Sequence, residues 1–194
     1  MDKGRLEAFS DGVIAIIITI MVLELKIPNT DSIEALKPLL PVFLSYILSF
    51  IYVGIYWNNH HHTFQVAESV NGTILWANMH LLFWLSLVPF VTAWMGENHF
   101  TRWPVTFYGI VLLMNSIAYA LLIAALVKHH GKDSVLAKAI GKDWKGTIST
   151  AIYITAIAVS WIKPQISFAL YVVVACIWFI PDKRIEKKIV AEGH

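Results

Sequence analysis

The side chains that could do chemistry fall in three places. The first is a polar cluster, Arg5, Ser10 and Asp11 with Phe9 among them, at the head of a run that carries no charge from Gly12 until Glu24. The second is the triplet His60, His61 and His62, with Trp57 before it and His80 further on. The third is one hydroxyl, Thr19, set among isoleucines. Adjacent histidines point in different directions around a helix, whereas ligation from one face needs spacings of i, i+3 or i+4. Glu68 is the one carboxylate close to the triplet in sequence. The histidines therefore read as polar positions at the end of an apolar segment, one or two of them in a hydrogen-bond network. A membrane metal protein or enzyme built on His60, His61, His62 and His80 is the alternative. Nucleophile and phosphate-loop signatures are missing.

The polar cluster constrains the run that follows it. A bilayer core about 30 Å thick needs roughly 20 helical residues, and the stretch 6–25 meets this only if its polar end is kept from lipid. A charge deep in a bilayer costs about 2.5–3.5 kcal/mol. Ser10 and Asp11 must then face protein or water, with partners among Trp57, His60, His61 and Asn78. At about 100° per residue, and with Ile16 at zero, Phe9, Gly12, Thr19, Ile20 and Leu23 all lie within about 60° of it. Ser10 falls at about +120° and Asp11 at about −140°. The isoleucine stripe and the polar pair thus occupy different faces. From periodicity alone the stripe reads as lipid contact or core packing.

The elements that position these residues are apolar. The chain of 194 residues is 57% hydrophobic and 14% charged, with a mean hydropathy of +0.63, far from the composition of soluble domains. Eight Trp, seven Tyr and ten Phe suit aromatic belts at two membrane interfaces. The single cysteine, Cys176, excludes an intrachain disulfide. A net charge of +2 gives no case for nucleic acid. Six apolar segments are expected, at 6–25, 36–57, 74–95, 104–127, 147–162 and 166–180, with a charged tail over 182–194, forming one domain over 1–194. Pro89 predicts a kink in the third, and a short surface helix is expected around 135–140. No small-x-small site follows 6–25, so a cleaved signal peptide is not expected. Alternate connections place eleven Lys and Arg on one side and four on the other, which puts both termini in the cytoplasm. The expected fold is an all-α, multi-pass membrane protein.

The sequence Arg5, three residues, Phe9-Ser10-Asp11, followed by Ile16, Ile17, Ile18 and Thr19, resembles the signature of the lysosomal potassium channel family of the transmembrane protein 175 type. A looser likeness covers Trp57, His60, His61 and Phe64, and the layout of six helices and a basic tail extends it over most of the chain. A single six-helix copy is similar to the prokaryotic branch, which implies a homotetramer in a prokaryotic plasma membrane. The resemblance implies a passive, potassium-permeable cation channel with monovalent cations as its cargo and no cofactor. It implies a central pore lined by helix 1, with constrictions at Ile16, at Thr19 or Ile20, and at Leu23, and no carbonyl-lined selectivity loop. VGIY at 53–56 lacks the threonine and second glycine of such a loop. The resemblance also implies that Arg5, Phe9, Ser10 and Asp11 form a structural network with Trp57, His60, His61 and Asn78. An acidic ring of Asp11 at the cytoplasmic mouth is the alternative role, and a non-conducting membrane scaffold the alternative for the whole chain. Modest selectivity is expected, because side-chain rings hold ions less rigidly than carbonyl stacks.

Overall fold

A computed structural model describes residues 3–140 and 143–179. They form helices joined by turns and short loops, with no strand among the described residues. Helix α1 spans Lys3–Leu23. A 3₁₀ stretch, Ile33–Leu39, leads into α2, Leu40–Val66. α3 is Gly72–Ser86 and α4 is Val88–Glu97. α5 is the longest, Arg102–His130. The short α6, Val135–Ile140, is followed by α7, Trp144–Val159, and α8, Pro164–Phe179. The expected tail at 182–194 lies outside the described residues.

The helices depart most from the expected segments in three places. The second segment begins later, at Leu40, because Pro38 sits in the 3₁₀ turn and Pro41 occupies the first turn of α2, where its missing N–H costs nothing. It also runs on to Val66 through all three histidines. His60, Thr63 and Phe64 are buried there, and nothing in the triplet forces the backbone out of a helix. The third segment is divided at Leu87. Pro89 has no N–H to give to Leu85, four residues before it, so the α-helical ladder breaks one turn ahead of the proline. The expected short helix at 135–140 coincides with α6.

Four helical stretches are long and apolar enough to cross a membrane: Lys3–Leu23, Ile33–Val66, Gly72–Glu97 and Arg102–His130. α7 and α8 each show 16 described residues, about 24 Å of helix. The core lies where α1 packs on α2, α3 and α4, and where α5 packs on α3, α4, α7 and α8. Most of its buried polar side chains are paired, as a low-dielectric interior requires, the exceptions among the described residues being His62 Nδ1 and Asn115 Oδ1. Ser49 and Tyr108 share a hydrogen bond at 2.9 Å, and Thr92 donates to Ser49 at 2.6 Å. Tyr52 donates to the Tyr171 carbonyl at 2.6 Å. Gly109 is required by close approach: a Cβ there would collide with the Tyr171 ring and hydroxyl. Such small-residue contacts are how membrane helices pack closely.

Candidate functional site: the uncovered face of the first helix and its polar anchor

α1 is apolar on two sides, and packing distinguishes them. Leu6, Ser10, Ile14, Ile17 and Met21 recur at helical spacing and are buried against α2–α4. Phe9, Ile16, Thr19, Ile20 and Leu23 are exposed within the subunit. Ile16 is 60% and Leu23 76% accessible, so nothing among the described residues covers the stripe. Gly12 lies on the same arc, and a Cβ added to it would meet nothing within 4 Å. The stripe runs about 10.5 Å along the axis from Ile16 to Leu23.

Thr19 is the polar member of this face between Phe9 and Leu23. Its hydroxyl donates to the Ala15 carbonyl at 2.8 Å. With that proton committed to the helix, the oxygen lone pairs are what the side chain can offer outward. A hydroxyl held this way is an acceptor, suited to a cation rather than an anion. Thr19 and Ile20 are both exposed and adjacent on this face.

On the buried side a directional chain of hydrogen bonds ties α1 to α2 and α3. Ser10 donates to the Leu6 carbonyl at 2.8 Å. Asn78 Nδ2 donates to Ser10 Oγ at 2.9 Å. Because the amide nitrogen of Asn78 faces Ser10, its oxygen faces His60, which donates from Nε2 at 2.8 Å. Ser10, Asn78 and His60 are all buried. Asp11 belongs to a different contact at the edge of the exposed arc, accepting from Trp57 Nε1 at 3.0 Å. His61 stacks on Trp57, with ring centroids 6.0 Å apart.

Arg5 and Phe9 stand outside these contacts in the subunit. At about −20° and +20° on the wheel they share the Ile16 face, and both are exposed. Arg5 makes no hydrogen bond or ion pair among the described residues. His80 accepts from Trp84 Nε1 at 2.9 Å, in a contact separate from the triplet. The described residues contain no group of three His, Cys, Asp or Glu side chains placed to hold a metal ion. A cavity of about 360 Å³ lies between α2, α5 and α7, lined by Tyr52, Tyr56, Tyr119 and Tyr153, and no residue of α1 borders it.

Two contacts at the turn between α2 and α3 are not visible in the spacing. Lys3 Nζ donates to the carbonyls of Phe64 at 2.9 Å and Ala67 at 2.8 Å, capping the C-terminus of α2. His129 and His130, at the end of α5, bind the turn between α2 and α3. No local period links residues about sixty positions apart.

The chain is 58% identical over 189 residues to a Chryseobacterium protein named as a potassium channel, covering 97% of this chain and 98% of that one. It belongs to the TMEM175 family. The family's sequence model, described as endosomal/lysosomal potassium channel TMEM175, matches residues 5–89. That span holds the exposed stripe of α1 and the whole Ser10–Asn78–His60 chain. A potassium channel of Chamaesiphon minutus is 32% identical over 192 residues, covering 90% of this chain and 92% of the relative. The crystal structure of a lysosomal potassium-selective channel TMEM175 homologue from the same organism superposes with a TM-score of 0.79 at 30% identity. It covers 92% of this chain and 96% of that one. TMEM175 proteins are cation channels and not enzymes, and this member is a multi-pass, all-helical membrane protein.

Proposed function

We propose that four copies of this chain assemble around a central axis as a potassium-permeable channel, with α1 of each copy lining the pore. The observation that carries this reading is the uncovered Ile16–Leu23 face. It lies on a helix whose opposite face is buried and hydrogen-bonded to two neighbours. A helix so fixed cannot rotate to hide the stripe. The half-circle it leaves exposed is wide enough both to meet other copies and to line a passage between them.

In this arrangement each subunit crosses the membrane six times, α3 with α4 counting as one crossing. Both termini are cytoplasmic, in a prokaryotic plasma membrane. Rings of Ile16 and Leu23 form constrictions that block ions sterically or by dewetting. Between them, four Thr19 oxygens or the Ile20 ring form a further layer, and the acceptor character of Thr19 suits a partly dehydrated cation. Selection comes from neck diameter and side-chain oxygens, with no backbone-carbonyl loop. Ser10, Asn78, His60, Asp11 and Trp57 hold α1 in place; Arg5 and Phe9 contribute at the contacts between copies. Potassium flux from liposomes containing the purified protein tests the reading. A verified tetramer that passes no potassium at any voltage or pH would sink it.

A further inference from the structure

Two neighbouring histidines at the end of α5 meet hydrogen-bond partners that suit the neutral ring. His130 Nε2 accepts from the backbone N–H groups of Glu68 at 3.2 Å and Ser69 at 3.3 Å. Its proton is therefore on Nδ1, which donates to the Leu126 carbonyl at 3.0 Å. His129 has the opposite tautomer. The Asn71 oxygen accepts from the Ile74 N–H at 3.0 Å, capping α3. The Asn71 amide nitrogen must then face His129 Nδ1, which accepts from it at 3.1 Å. His129 Nε2 consequently donates to Ser69 Oγ at 3.0 Å. Each ring uses one nitrogen as a donor and the other as an acceptor, an arrangement open only to neutral imidazole.

A second proton on either ring would set an N–H against an N–H. At His130 it would face two of them. The turn these rings hold, between Val66 and Gly72, is also the turn that receives Lys3, the first described residue of α1, through the Ala67 carbonyl. Ala67 and Val70 are buried, so the turn is part of the packed structure and not a free loop.

We infer that His129 and His130 form a pH-sensitive clasp that fastens the turn between α2 and α3, and through Lys3 sets the position of the N-terminal end of α1. Histidine is the side chain that changes charge between about pH 5 and 8. A second proton on these rings would remove the acceptors of the Glu68, Ser69 and Asn71 donors and release the turn. The charged residues on the elements that meet at the turn are Lys3 on α1, Glu68 in the turn itself, Lys128 near the end of α5, Lys132 and Asp133 just beyond it, and Lys138 on α6. The device lies outside the span 5–89 on its α5 side, and as a control on conduction it rests on the channel reading above.

Amide hydrogen exchange of the full chain in nanodiscs, compared at about pH 7.5 and about pH 5.5 after correction for chemical exchange, tests the clasp without any transport measurement. Protection at Glu68 and Ser69 is expected to fall by about tenfold or more at the lower pH. In His129→Gln/His130→Gln, which cannot gain the protons, the change is expected to shrink to about twofold or less. Potassium flux from liposomes is expected to change over the same pH interval in the wild type and not in the variant. Unchanged exchange in the wild type overturns the clasp, and this comparison needs no variant to fold. Exchange that responds while flux does not overturns its coupling to α1. Absence of flux at every pH counts against the channel reading, and the exchange result then still decides the clasp.

Discussion

Asn78 Nδ2 lies 2.9 Å from Ser10 Oγ, both side chains fully buried, and this bond fixes the rotation of α1 against α3. The same amide accepts from His60 on α2, so one residue orients three helices. Asn78→Ala removes both bonds and leaves Ser10 and His60 without their partner. A loss of roughly 1–3 kcal/mol is expected, read as a lower unfolding temperature in detergent. An unchanged unfolding temperature would show that packing alone sets the rotation.

Ile16 and Leu23 test the exposed face directly. Ile16→Asn should wet the constriction and raise potassium conductance severalfold or weaken selectivity; Leu23→Ala should widen its own level. Neither residue packs within the subunit, so folding yield should hold. Single-channel recordings that show both variants identical to the parent would remove α1 from the pore.

Thr19→Val keeps the shape and removes the oxygen. The preference for potassium over sodium, measured from reversal potentials, should fall while tetramers persist. If Thr19→Val is silent and Ile20→Ala changes selectivity, Ile20 and not Thr19 stands at the axis.

Asp11 and Trp57 meet at the edge of the exposed arc, where another copy would pack. Asp11→Ala and Trp57→Phe should lower the tetramer fraction in light scattering more than they alter ion preference. Normal assembly with altered selectivity would favour an acidic ring at the mouth.

At the opposite end of α1, Lys26 and Glu97 are 2.6 Å apart. The hydrogen bond and charge of Glu97 hold the Lys26 ammonium above the usual lysine range. A raised lysine contributes stability that is fully present below its unfolded value, about 10.4, and is lost as pH rises through the folded one. The pair is exposed and screened by salt. Glu97→Gln should therefore lower the unfolding temperature only slightly, and by the same small amount throughout about pH 6 to 9. A clear shift in that range would mean that Glu97 has a second partner.

Much of this architecture is written locally in the chain. Apolar runs, with prolines and loop residues between them, mark the helices. A period of 3.6 residues separates Ser10 from the Ile16 stripe without reference to any partner. The apolar residues themselves do not say which side of α1 is buried, because Ile14, Ile17 and Met21 are as apolar as Ile16, Ile20 and Leu23; Ser10 beside the first set is the local hint. Only contact with α2, α3 and α4 decided that the first set is covered. Nor does a local pattern show that the histidine triplet lies within α2 rather than at its end, because His60 is held there by Asn78, 18 residues away. Lys3 at the Ala67 carbonyl and His130 at the Glu68 N–H join positions 64 and 62 residues apart. Such bonds depend on how helix ends come together in three dimensions, and no spacing along the chain encodes them.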